Sequence, residues 1–406
     1  MNLSVSTVST DPFDDAAFYP RRPEGWASII ARAVALQPQL RKRAAAARKA
    51  RMVPAENIRA LFDQELLRHY QPKRFGGNGV PWGVHFHVGR ILAQACPATG
   101  WISCVVASQM LYAIRYEESA LREVFAKGHD VLMGNASAGI NTSATPVEGG
   151  FRLSGRWRFL SGADHVDWVL LASVPNIGST EGYMLLVPRN DFVIDDTWHV
   201  AGLQATGSKD VVVDNAFVPK ARALSLSNFW EHSASDALPE AGVFTATRDI
   251  RGYVGSGIMG PLIGMAEGAL QAYVAMTKKR VGATTARTVA DSEVVQIRLA
   301  ESAAEIRAAR TLMEQQYVVL REAGETGRVL DAAAQLAIAR DRSIATRLCL
   351  DAVERLARQM GAVGLFDSNP VHAFHQDLKA AAGQIAVNFD RNMQPYGQWA
   401  LAADNA

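Results

Sequence analysis

Gly149-Gly-Phe-Arg-Leu-Ser-Gly-Arg-Trp-Arg-Phe-Leu-Ser-Gly-Ala-Asp-His-Val-Asp-Trp168 decides how this chain is read. Apolar and polar side chains alternate through it, the pattern of strands with one buried face. It predicts two short strands, Phe151 to Ser154 and Trp157 to Phe159, a turn at Ser161-Gly162, and a third strand starting at Trp168. Further on, Gly202-Leu-Gln-Ala-Thr-Gly-Ser-Lys-Asp-Val-Val-Val213 supplies a second polar turn that runs into another strand. Both turns are rich in hydroxyls and backbone donors, and long helical sequence lies on either side of them.

Working outward, residues 24–70 are rich in Ala, Leu, Arg and Gln with helical periodicity, and Pro54 marks a helix start. Further helices are expected over 82–95, 98–115 and 118–127. From Val131 to Leu224 the runs shorten, and 131–135, 151–154, 157–160, 168–174, 183–188, 211–213 and 216–218 read as strands. No helix-length segment separates them, so a barrel or sandwich is expected and parallel βαβ units are not. Helix returns in Gly255 to Met276, Asp291 to Glu322 and Arg328 to Gln359. Ser368-Asn-Pro370 looks like a cap and first-turn proline for a last helix to Asn388. Four long helices suggest an antiparallel bundle. The expected fold class is α+β, mainly α. It comprises an N-terminal arm (1–23), a helical domain (24–128), a central β-barrel or sandwich (129–226) and a C-terminal four-helix bundle (240–406).

The 406 residues are 49% hydrophobic and 20% charged, which allows a large core. A net charge of +2 argues against a strongly basic nucleic-acid binder. No apolar run approaches a membrane span of about 18 residues. Met1 to Pro20 lacks an apolar signal core, which predicts a cytoplasmic location. Cys96, Cys104 and Cys349 are far apart in apolar helical sequence, and buried free thiols are expected.

With Phe159-Leu-Ser-Gly162, Thr206-Gly-Ser-Lys-Asp210 and the helix–strand–helix order, the chain resembles the acyl-CoA dehydrogenase superfamily. Within it, the chain is most similar to oxygenase components of two-component flavin-dependent monooxygenases. The resemblance implies an acyl-CoA dehydrogenase-like fold, a homotetramer, and a flavin between β domain and bundle with a neighbouring subunit closing the site. It also implies reduced flavin (FMN or FAD), O2 as co-substrate through a C4a-hydroperoxyflavin, and a small aromatic or heteroatom-bearing substrate. No Gly-x-Gly-x-x-Gly follows a strand, so a separate NAD(P)H-flavin reductase is the expected partner. The resemblance sets Ser161 near flavin N5, Asn135, Ser137, Phe159 and Gly162 around the ring, and Thr206, Gly207 and Ser208 at the pocket mouth. Lys278-Lys-Arg280 reads as a solvated helix end, or as a place where Arg280 meets flavin phosphate across a subunit interface.

Dehydrogenases of this superfamily abstract a proton with a glutamate, yet residues 368–406 contain no Glu and Ile250 to Ala266 contains no Asp or Glu. That latter stretch holds Arg251 and Tyr253. Related phenol hydroxylases carry histidines at positions that match Gln109 and Gln384. An amide can hydrogen-bond but cannot take up a proton, so these two are expected to orient substrate, with Trp101, Tyr253 and Phe389 lining the pocket. His165 is a weak candidate base beside Asp164. His85-Phe-His87 and His372-Ala-Phe-His375 have ligand-like spacing without a recognisable metal motif, so no metal is expected. The alternatives are an acyl-CoA dehydrogenase-like enzyme with a displaced base and a non-catalytic ligand-binding member of the fold.

Overall fold

The computed structural model describes residues 23, 25–79, 82–173, 181–231, 250, 252, 253, 255–282 and 288–402. Arg251, named above, lies outside them. The chain opens with helices α1 (Trp26–Ala50), α2 (Ala55–Asp63), α3 (Val84–Ala93), α4 (Pro97–Ser108), α5 (Met110–Ala113) and α6 (Glu118–Val124). Strands follow: β1 (Met133–Ala136), β2 (Ala138–Val147), β3 (Gly150–Leu160), β4 (Trp168–Ala172), β5 (Tyr183–Pro188), β6 (Val193–Asp195), β7 (Lys209–Pro219) and β8 (Ala223–Ser225). After the short α7 (Leu226–Glu231) come α8 (Met259–Thr277), α9 (Glu293–Thr326), α10 (Ala332–Gln359), α11 (Pro370–Ala381) and α12 (Phe389–Leu401).

The strands form two four-stranded sheets, ordered β1-β4-β5-β8 and β2-β3-β7-β6. β1 and β4 run parallel, and every other pairing is antiparallel. Between the sheets sit Leu153, Trp157, Leu160, Val169, Leu171, Leu185, Val187, Val211 and Val213, all buried. Trp157 spans the sandwich, its Nε1 donating to the Ala172 carbonyl at 2.7 Å. The two expected strands 151–154 and 157–160 are one. β3 runs on through Ser154-Gly155, with Gly155 at φ 147°, and the extra residues of the bulges there lie in its neighbours, Asn141-Thr142 of β2 and Asp214-Asn215 of β7. Likewise 211–213 and 216–218 belong to the single strand β7. β2 was not expected, because its Asn, Thr and Ser hide the alternation.

Glycines set the contact that joins the two helical regions. Gly260, Gly264 and Gly268 fall one turn apart on one side of α8. A Cβ there would stand 2.4 Å from the Phe86 carbonyl oxygen, 2.1 Å from that of Arg90, and within 2.6 Å of the Phe374 ring. The α3 and α8 backbones therefore touch. Beside this seam lies a buried charge network. Arg90 Nη1 and Gln94 Nε2 meet Glu267 Oε2 at 2.6 and 2.5 Å, Arg310 meets Glu267 at 3.6 Å and Glu314 at 3.2 Å, and His87 meets Glu314 at 3.7 Å.

Asn369 caps α11 by accepting from Val371 and His372, with Pro370 in the first turn, as the sequence predicts. The helix ends at Ala381, however. Gln384 and Asn388 cap a 3-10 turn (Ile385–Val387) and the further helix α12. All three cysteines are buried free thiols. Among the described residues no helix is long and apolar enough to cross a membrane.

Candidate active site

The two polar turns of the sequence meet. Phe159, at φ 68°, and Gly162, at φ 72°, bend the chain sharply as β3 ends. Gly162 N donates to the Thr206 carbonyl at 2.8 Å, which ties the first turn to the second. The second turn is held from the bundle side. Asp377 of α11 accepts from Leu203 N at 2.7 Å and pairs with Arg48 of α1 at 2.9 Å. Burial raises the Asp377 pKa, while Arg48 and the Leu203 amide act in the opposite direction. From the other side α4 presses on the first turn, with Ile102 where a Gly162 Cβ would reach at 3.4 Å.

Three hydroxyls and an indole line up at this junction, and their proton positions follow from the chain ends. The Leu203 carbonyl can only accept, so Thr206 spends its hydroxyl proton there, at 2.8 Å. The 2.7 Å contact between Thr206 Oγ1 and Ser208 Oγ then has Ser208 as donor. With that proton spent, Ser161 is the donor in its 2.9 Å contact with Ser208. Trp101 Nε1, a donor only, gives to Ser161 Oγ at 3.3 Å. A hydroxyl has one proton and two lone pairs. Half-buried Ser161 therefore keeps one lone pair and no proton to offer.

Further residues singled out in the sequence lie on adjoining elements, β1, β3 and α4. Phe159 is 51% exposed, edge-on to Trp198 at 6.3 Å and with the Arg158 guanidinium over its ring at 4.7 Å. Ser137 Oγ donates to Asn135 Oδ1 at 2.9 Å at the end of β1. Gln109, buried, sits at the break between α4 and α5, two turns beyond Trp101. Its Nε2 donates to the Val105 carbonyl at 2.6 Å, which fixes the amide's orientation. Gln109 Oε1 is left buried with no partner, an acceptor aimed at nothing in the protein.

The other expected residues have these partners. Thr206 and Ser208 are 1% and 4% exposed, so they form the inside of the hydroxyl row and not a pocket mouth. Tyr253 spends its hydroxyl on the Leu320 carbonyl at 2.9 Å. Gln384 Oε1 accepts from Ala386 N at 2.5 Å as a turn cap, though the next residues bring Ala386 against Gly255. Phe389 lies under the Arg347 guanidinium at 4.5 Å on the face between α10 and α12. Arg280 donates to the Gln359 carbonyl at 3.2 Å at the end of α10. His165 meets the Val53 carbonyl at 2.7 Å, and Asp164 pairs with Lys209 at 2.7 Å, so they do not act as a couple. His85 and His87 diverge, His87 toward Glu314, while His375 pairs with Glu354 at 2.6 Å. Among the described residues no three His, Cys, Asp or Glu side chains converge on one point.

The acyl-CoA dehydrogenase C-terminal domain family matches residues 256–389. The chain is 31% identical over 378 residues to the flavin-dependent monooxygenase oxygenase subunit HsaA of Mycobacterium tuberculosis, covering 91% of this chain and 94% of that protein. It is 30% identical over 401 residues to the oxygenase component of FADH(2)-dependent resorcinol hydroxylase of Rhizobium sp., covering 95% and 97%. The chain belongs to the oxygenase components of flavin-dependent monooxygenases. Its fold follows that of 3-HSA hydroxylase from Rhodococcus sp. RHA1, with a TM-score of 0.86 and 28% identity over 92% of this chain and 97% of that one. It is thus an oxidoreductase on the acyl-CoA dehydrogenase fold that works with reduced flavin, O2, a separate reductase and a small-molecule substrate.

The site's own residues fit that cofactor. Reduced flavin carries a proton on N5 and oxidised flavin does not, so a hydroxyl left with only a lone pair matches the reduced form. Sequence reasoning missed the direction of the hydroxyl row, since it depends on a carbonyl, Leu203, that no side-chain motif records. It also missed the buried, unpartnered His69 and the free Nε2 of His85, which only burial reveals.

Proposed function

We propose that this oxygenase hydroxylates a small aromatic substrate at the junction of the Ser161 turn, the Thr206 turn and α4. The observation that carries this reading is the row Trp101–Ser161–Ser208–Thr206, with its single acceptor at Ser161. Bound reduced flavin supplies the oxygen-activating chemistry. Ser161 Oγ holds the N5 proton in place and cannot remove it, because a neutral serine is no base. Phe159 offers an aromatic wall, and the paired Asn135 and Ser137 sit at the ring's edge. Gln109 Oε1 accepts a hydrogen bond from the substrate's polar edge and orients the ring. Bound flavin and substrate cover these groups and exclude water, which strengthens every hydrogen bond made there.

Assembly is part of the same reading. Val281, Val294 and Ile297 are exposed, and so are Leu365 and Phe366 just beyond the end of α10 where Arg280 rests. An apolar rim around a half-exposed arginine supports a homotetramer in which Arg280 turns to the flavin phosphate of a neighbouring subunit. A cytoplasmic location beside an NAD(P)H-dependent reductase suits the supply of diffusible reduced flavin.

Anaerobic protein mixed with reduced FMN or FAD and then with O2 tests the reading by stopped-flow absorbance and an oxygen electrode. Oxidised flavin should appear later than oxygen is consumed. Oxidised flavin that rises in step with oxygen loss, at the rate of free flavin, refutes it.

A further inference from the structure

A single carboxylate meets the N-terminal helices, the β domain and the bundle. Asp377 of α11 is 3% exposed, and its Oδ1 accepts from the Leu203 amide at 2.7 Å and from Arg48 Nη1 at 2.9 Å. Arg48 stands in the last turn of α1, and its Nη1 also donates to the Ala373 carbonyl, one turn before Asp377 on α11, at 3.1 Å. The Thr206 turn therefore rests on a clamp built from the first helix and the bundle. Contact is close, since a Cβ at Gly202 would stand 2.0 Å from the Gln376 carbonyl oxygen.

The clamp holds a strained residue. Leu203 has φ 53°, in the left-handed region that a residue with a side chain enters only at a cost. Its carbonyl serves Thr206 Oγ1 at 2.8 Å, the Thr206 amide at 3.0 Å and Trp198 Nε1 at 3.0 Å. Those donors belong to the 198–206 stretch and travel with it, whereas Asp377 grips the Leu203 amide from outside. A hydrogen bond to a charged acceptor outweighs the strain of one left-handed residue. The Leu203 side chain shares a core with Val371 and Leu378 of α11, but apolar packing is non-directional and does not aim a peptide group. The Gly162–Thr206 bond joins the two turns through the backbone and leaves the Thr206 hydroxyl free to rotate; it is the Leu203 carbonyl that claims its proton.

We propose that Asp377 is a positioning residue for the oxygenation: by holding the Leu203 peptide it sets the proton direction of the hydroxyl row and so keeps Ser161 an acceptor toward reduced flavin. The inference rests on the reading of Ser161 above and adds its control from outside the β domain. With the carbonyl turned away, the row can run in reverse, from Thr206 to Ser208 to Ser161, which gives Ser161 a proton to donate to oxidised flavin. Arg48 supports the charged form of the carboxyl against its burial. A buried ion pair adds little stability over apolar side chains of like size, so orientation is what this pair supplies.

Anaerobic equilibrium titrations of the full chain with reduced and oxidised FMN and FAD test it, with Tm measured alongside. Asp377→Asn keeps an oxygen for the Leu203 amide and loses the charge opposite Arg48. Its Tm should fall, while the preference for reduced flavin stays within about twofold of wild type. Asp377→Ala removes the acceptor, and the preference should shrink about fivefold. The double variant Arg48→Met, Asp377→Leu also removes the acceptor but strands no charge, so it keeps the fold even where Asp377→Ala does not, and its preference should shrink by the same factor. A carboxylate of purely structural worth gives a different pattern, with Tm falling as charge is lost and one preference in every folded variant. That result, or a loss in Asp377→Asn equal to that in the double variant, overturns the inference. Equal affinities for both redox forms in the wild type discard the acceptor at Ser161 and this inference with it; a wild-type preference unchanged in the double variant discards Asp377 alone.

Discussion

One lone pair on Ser161 distinguishes this site at the residue scale. Its acceptor character is inherited from Ser208, Thr206 and the Leu203 carbonyl, so a change behind Ser161 should alter what Ser161 can do. Ser208→Ala removes the acceptor that takes the Ser161 proton. The freed hydroxyl can then donate to the bare N5 of oxidised flavin, and the preference for reduced over oxidised flavin should shrink about fivefold, as expected for one hydrogen bond of about 1 kcal/mol. Equilibrium titrations of both redox forms measure this. Ser161→Ala should weaken reduced flavin by a similar factor and raise the share of oxygen lost as peroxide. Unchanged flavin affinity and unchanged peroxide yield in Ser161→Ala would remove Ser161 from the cofactor site.

At the scale of elements, the α3–α8 seam positions everything that α4 and the 255–257 loop present to the site. Gly264→Ala would place a methyl 2.1 Å from the Arg90 carbonyl oxygen. Overpacking of that kind costs about 1–3 kcal/mol, readable as a lower urea midpoint. Glu267→Ala should cost more, about 3–5 kcal/mol, because it takes the carboxylate from Arg90 beside a buried seam and leaves Arg310 its pairing with Glu314. A midpoint unchanged in Glu267→Ala would mean the network carries no stability. The small-residue texture of α8, its amphipathic neighbours and the Asn369-Pro370 start of α11 were legible in the sequence, since periodicity and caps are local. The merging of strand pairs into β3 and β7 was not, because Ser154-Gly155 and the Asp214-Asn215 bulge each read locally as a break. β2 escaped for a related reason, its polar side chains carrying no alternation. The Ser161 and Thr206 turns were recognisable one at a time, whereas their meeting depends on Asp377, far along the chain.

For the whole molecule, burial of neutral imidazoles makes stability depend on pH. His69 and His85 have pKa values below that of an unfolded histidine, so the unfolded chain binds more protons in acid. Their contribution is fully present above pH 6.5 and is lost as pH falls toward 4. Between pH 7 and 5 the loss should be about 2 kcal/mol for each histidine. Denaturant midpoints across that range measure it, and the double variant His69→Phe, His85→Phe should flatten the profile. A wild-type profile already flat from pH 7 to 5 would mean that these rings do not stay neutral. Paired substitution Leu365→Asp, Phe366→Asp should lower the mass found by light scattering if the exposed apolar rim is a subunit contact, and should loosen flavin along with it. A mass that stays the same would place the contact elsewhere. Selection of reduced flavin through an acceptor at Ser161 underlies the proposed site. Anaerobic titration of the wild-type protein with reduced and oxidised FMN and FAD measures it directly. One of the two flavins should bind about tenfold or more tightly in its reduced form; equal affinities, or tighter binding of the oxidised form, would rule out an acceptor role for Ser161.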